Sequence, residues 1–163
     1  EKKMKTFRLL LSSPVPLREI VLGKFLACMI VVTVMILTSS YSMGFLFLLG
    51  SPEIGPIVTG YLGVILMAGC YVSVGVFASS LTDNQIVAAV LTFGFSLFMW
   101  VVGWGAQAAG ATTGQVLQFL SIVDHMDRFL KGMVNTSDLV YYLSFILLSL
   151  FLCHRVLDSN RWR

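Results

Sequence analysis

Four long stretches without a single charged side chain dominate the sequence: Phe25 to Leu49, Ile57 to Ser80, Ile86 to Gly105, and Leu139 to Leu157, the last clean until His154 and Arg155 near its end. Each is roughly 19–25 residues long, enough for a helix rising about 1.5 Å per residue to cross a hydrocarbon core of about 30 Å. None alternates apolar and polar residues as a barrel strand does. A helix satisfies its own backbone hydrogen bonds, so four spanning helices are expected. Composition agrees: 57% of the residues are hydrophobic and 12% charged. A water-soluble domain of this length needs more polar surface than that.

The connections separate into short and long. Residues 50–56 read GSPEIGP, a turn rich in breakers, and residues 81–85 read LTDNQ, a polar hairpin in which Asp83 or Asn84 suits a helix cap. Residues 106–138 are long enough to hold structure of their own. Within them, QVLQFLSIVDHMDRFLKGM (115–133) reads as one amphipathic helix. Val116, Phe119, Leu120, Val123, Met126, Leu130 and Met133 form its apolar face; Gln118, Asp124, His125, Asp127, Arg128 and Lys131 form its polar one. Asn135 to Asp138 can then cap the last span.

The basic residues set an orientation. Lys2, Lys3, Lys5, Arg8, Arg18 and Lys24 precede or open the first span, and Arg155, Arg161 and Arg163 follow the last. The long connection has only Arg128 and Lys131, against Asp124, Asp127 and Asp138. Both ends are therefore expected in the cytoplasm and the long connection outside. Trp100 and Trp104, Tyr141 and Tyr142, and Trp162 fall at belt positions. Gly69 with Ser73, and Gly75 with Ser79, are small pairs four apart of the kind that lets helices approach closely in lipid.

Several chemistries find no support. There is no GxxxxGK[ST], HExxH, GxSxG or paired-Cys motif. Cys28, Cys70 and Cys153 read as small buried hydrophobes. His125 near Asp124 and Asp127 reads as a solvated helix face rather than an acid–base or metal site. The spans lack the deep ionisable residues that proton- or sodium-driven carriers need. No catalytic, cofactor-binding or metal-binding residue is expected, the chain is not expected to be an enzyme, and no nucleic-acid partner is expected.

The opening residues are of another kind. EKKMKTFRLLLSSPVPLREIVLGK starts basic, then places Phe7, Leu10 and Leu11 at helical spacing. Ser12-Ser13-Pro14 interrupts that helix, and Pro14 and Pro16 make a stiff corner. A new helix is expected from about Leu17, with Glu19 in its first turn and Lys24 at the membrane surface. The chain begins with Glu1 and shows no signal peptide, so a preceding portion is expected.

This opening resembles the segment between the second and third spans of ABC type-2 transporter permeases. Glu1, Thr6, Leu10, Leu11, Ser13, Pro14, Val15, Glu19, Ile20, Val21, Gly23 and Lys24 fit the family pattern; Lys5 and Arg8 stand where the family often has Gly and Glu. The closing stretch from FLKGMVNTSDLVYYLSF to HRVLDSNRWR resembles the last span of the gliding-motility-type branch. The resemblance implies a polytopic all-α transmembrane bundle corresponding to spans three to six of six. It further implies a coupling helix before the Pro corner and an amphipathic outer helix before the last span. The implied function is the permease subunit of an ATP-binding cassette exporter in a bacterial cytoplasmic membrane. Its implied partners are a second permease copy, the lipid bilayer, and a cytoplasmic subunit that holds ATP and Mg. Thr6, Phe7, Arg8, Leu10, Leu11 and Pro14 are the candidate coupling residues. The alternative is a non-transporting membrane scaffold or assembly protein.

Overall fold

The computed structural model describes residues 17–44, 50, 53–108 and 111–161. Every regular element among them is a helix: α1 (Leu17–Ser39), α2 (Ile54–Leu81), α3 (Gln85–Ala108), α4 (Ala111–Leu120), α5 (Ile122–Leu130) and α6 (Thr136–Arg161). Four segments are long and apolar enough to span a membrane: Leu17–Gly44, Ile54–Leu81, Gln85–Gly105 and Thr136–Ser159. The chain is a multi-pass helical membrane protein.

The helix ends follow local chemistry. α1 starts at Leu17, with Glu19 in its first turn; the corner expected at Pro14 and Pro16 lies outside the described residues. Asn84 caps α3, its side-chain Oδ1 accepting from the Ile86 N–H at 3.0 Å. Asn135 opens α6 through its carbonyl, which accepts from the N–H groups of Asp138 and Leu139.

α2 is the hub. It packs against α1, α3, α5 and α6, and α6 also touches α1. Two buried clusters result. At one end, Leu17, Ile20 and Val21 of α1 meet Leu150, Cys153 and Leu157 of α6, with Val76 and Phe77 of α2 against them. At the other, Cys70 of α2, Ile122, Met126 and Phe129 of α5, and Tyr142 of α6 form a second core. Beyond these clusters the spans turn large apolar side chains outward, among them Ile30 and Met35 on α1 and Phe93 and Phe98 on α3. Water would not tolerate that surface; lipid does.

The expected amphipathic helix over 115–133 differs from the structure in two ways. It is broken at Ser121, whose hydroxyl caps α5 by accepting from the Asp124 N–H at 3.2 Å. The buried face of α5 is Ile122, His125, Met126 and Phe129, a regular i, i+3, i+4, i+7 stripe. Val116, Phe119, Leu120, Leu130 and Met133 of the expected apolar face are exposed, as a face turned to the membrane interface would be, and only Met126 of that face is buried in the bundle. The break lets α4 and α5 turn different faces to the bundle, which one continuous helix could not do.

Candidate functional site

All six candidate coupling residues, Thr6, Phe7, Arg8, Leu10, Leu11 and Pro14, lie outside the described residues, as does Trp162. What the structure does show is how the start of α1, which follows those residues in sequence, is packed. The buried residues of α1 are confined to its first turns, Leu17, Ile20 and Val21. They pack on the last turns of α6, at the end of the bundle next to residue 16. Among the described residues of α1 none beyond Val21 is buried, so its burial is concentrated at its start.

Beside this anchor, α1, α2 and α3 enclose an open groove of about 970 Å³. Ala27 and Cys28 line it from α1, Gly75 and Ser79 from α2, and Thr92 and Ser96 from α3. The groove exists because α1 and α3 both pack on α2 while leaving space between each other. Gly75 faces Thr92 of α3, whose Cγ2 would be in ordinary contact, 3.6 Å, with a Cβ at that position. Gly69 works differently, since a Cβ on it would lie 2.9 Å from Ile146 Cδ1, and Ser73 beside it is fully buried. The Gly69/Ser73 pair is thus a packing face toward α6. Cys70 and Cys153 are buried as expected, whereas Cys28 is exposed toward the groove.

The opposite end carries the polar surprise. Asp138, in the first turn of α6, is completely buried. Arg128 of α5 donates from Nη2 to its Oδ1, and His125 Nε2 lies 3.7 Å from the same oxygen. His125 is 2% exposed and stacks on Tyr141, ring centroids 4.1 Å apart and 11° from parallel. Its Nδ1 is 2.8 Å from the Ser121 carbonyl. A carbonyl only accepts, so Nδ1 carries the proton. Tyr142 Oη donates to the Ile122 carbonyl at 2.8 Å, and Tyr141 Oη to the Leu120 carbonyl at 2.7 Å. The orphan carbonyl of Leu120 at the end of α4 is thereby satisfied from α6, and the Ile122 carbonyl in the first turn of α5 gains a second donor from the same helix.

This geometry corrects three expectations. His125 is an interior group, not part of a solvated face. Tyr142 is fully buried rather than at a lipid-facing belt position, while Trp100 and Trp104 are exposed, as a belt requires. Asp138 is a buried ion-pair partner as well as a first-turn carboxylate. The residue pattern held one usable signal: Arg128 and Asp138 are opposite charges flanking Gly132, the turn glycine with φ +78°. Ser121, whose carbonyl holds His125, uses its hydroxyl to cap α5. Among the described residues, no three His, Cys, Asp or Glu side chains are placed to hold a metal. The chemistry of the cluster is that of a fastening, tying α4 and α5 to the last span.

A family model for ABC-2 family transporter proteins matches residues 1–157. No curated protein and no solved structure matches the chain significantly.

Proposed function

Because the chain belongs to the ABC-2 transporter family, we propose that it is the permease part of an ATP-driven exporter, powered by a separate ATP-binding subunit and paired with a second permease copy. Family membership over nearly the whole chain makes it a membrane transport component. The observation that carries the finer reading is the anchored start of α1. Leu17, Ile20 and Val21 couple the residues just before them to α6 through Leu150, Cys153 and Leu157, and to α2 through Val76 and Phe77. A force delivered to residues 6–14 would therefore reach two further spans by direct packing. Buried, close-packed contacts of this sort transmit displacement instead of absorbing it. The groove between α1 and α3 borders the same anchor, so its width would change as α1 tilts.

In this reading ATP and Mg stay on the partner, and this chain supplies the lever and part of the path. The excess of Lys and Arg in the residues before α1 and after α6 favours a cytoplasmic location for both ends, in a bacterial cytoplasmic membrane.

Co-purification tests the proposal. The full-length permease should retain an ATPase subunit, and Arg8→Glu should lower that retention while leaving the spans assembled. Failure to capture any ATPase in native lipid would overturn the reading. Capture without ATP-dependent transport would favour a scaffold.

A further inference from the structure

The outer faces of α4 and α5 form a second, polar pocket that the transport reading does not use. It has a volume of about 430 Å³ and is lined by Gln118 and Phe119 from α4 and by Asp124, Asp127, Arg128 and Lys131 from α5. The volume falls within the roughly 300–1,000 Å³ of small-ligand sites. A merely solvated helix face would pair Asp127 with Lys131 four residues on. No such pair forms, and the Arg128 guanidinium reaches Asp138 instead. Two carboxylates and two cations thus line one pocket, Arg128 sharing its guanidinium with Asp138 while Asp127 and Lys131 stand exposed and unpaired with each other.

The depth of the pocket names the ligand class. Gly103 of α3 abuts the start of α5, where a Cβ would lie 2.9 Å from Ser121 Oγ. Its neighbour Trp104 packs 4.6 Å from Trp100, both exposed. Exposed tryptophans of a spanning helix sit at headgroup level, so the pocket opens at that level too. Beside it α4 turns Val116, Phe119 and Leu120 outward, an apolar wall where acyl chains run.

We propose that this pocket binds the headgroup of a zwitterionic phospholipid of the phosphoethanolamine type. The phosphate lies between Arg128 and Lys131. The primary ammonium donates to Asp124 and Asp127, with the Phe119 ring at its side. An anionic lipid without an amine would satisfy the cations and leave the carboxylates facing its own charge. The site does not depend on what the protein transports.

Lipid retention on the intact permease, read by native mass spectrometry after exchange, tests this with phosphatidylethanolamine and phosphatidylglycerol of identical chains. Phosphatidylethanolamine should be retained about fivefold better, and Asp127→Asn or Lys131→Gln should each remove most of that preference. Both side chains are exposed, so the variants should unfold at the wild-type temperature, separating loss of the site from loss of the fold. Equal retention of the two lipids, or an unchanged preference in both variants, would overturn the proposal. Soluble glycerophosphoethanolamine distinguishes the source. Failure to displace the lipid at equal concentration supports a membrane-borne headgroup, and full displacement overturns it.

Discussion

Asp138 has no exposed surface and shares one oxygen between Arg128 and His125. Removing one partner of a buried ion pair costs roughly 3–5 kcal/mol, because the other charge stays buried. Arg128 is 43% exposed, so water can partly replace it. Arg128→Ala is therefore expected at the lower end of that range, measured as a drop in unfolding temperature in detergent. Replacing both partners, Arg128→Met with Asp138→Leu, should recover most of the loss, because no charge is then stranded. Additive single and double effects would show that the two side chains do not act as a pair. Tyr142→Phe is a smaller change. It removes only the donor to the Ile122 carbonyl and should cost about 1 kcal/mol.

At the scale of the element, α5 is held by close approach to α2. Gly63 is the tightest point: a Cβ there would lie 2.8 Å from both Met126 Sδ and Phe129 Cβ. Met126 is flexible at its tip, but Phe129 Cβ is fixed to the helix and cannot swing away. Thr59 Oγ1, one turn earlier, donates to the Phe129 carbonyl at 2.7 Å. Gly63→Ala should push α5 outward at a cost of about 1–3 kcal/mol, exposing His125 and loosening Asp138. Faster hydrogen exchange over 122–130, with α1 and α3 unchanged, is the expected signature; uniform loosening of all spans would count against it. Gly132→Ala acts at the following turn, where φ is +78°, and should cost roughly 1–2 kcal/mol. The spans were legible in the sequence because lack of charge over a sufficient length is a local property. The break at Ser121 was legible in principle, since Ser121 followed by Asp124 is a cap pattern inside an otherwise helical run. The burial of His125 was not: it depends on Asp138 and Tyr141, brought against α5 only when α6 packs on α2. Gly63 was overlooked for the same reason, its partners lying on α5 and not on another span.

At the scale of the molecule, the bundle has two ends of different character, and their assignment to the two sides of a membrane is a single physical choice. The start of α1 and the close of α6 share one buried cluster, so they lie on the same side whatever the orientation. Basic residues crowd the flanks of that end, whereas the α4–α5 end mixes both signs. The asymmetry in Lys and Arg favours the first end inside. The three cysteines complicate a labelling test only slightly: Cys70 and Cys153 are buried and Cys28 lines the groove, so alanine at all three gives a silent background. On that background Ser137→Cys, exposed at the start of α6, should react with a membrane-impermeant maleimide in intact cells. Ser159→Cys, exposed near its close, should react only after the membrane is opened. The reverse pattern would turn the whole protein over. It would leave the packing of α1 on α6 intact, but would place the residues before Leu17 where no cytoplasmic ATPase could reach them.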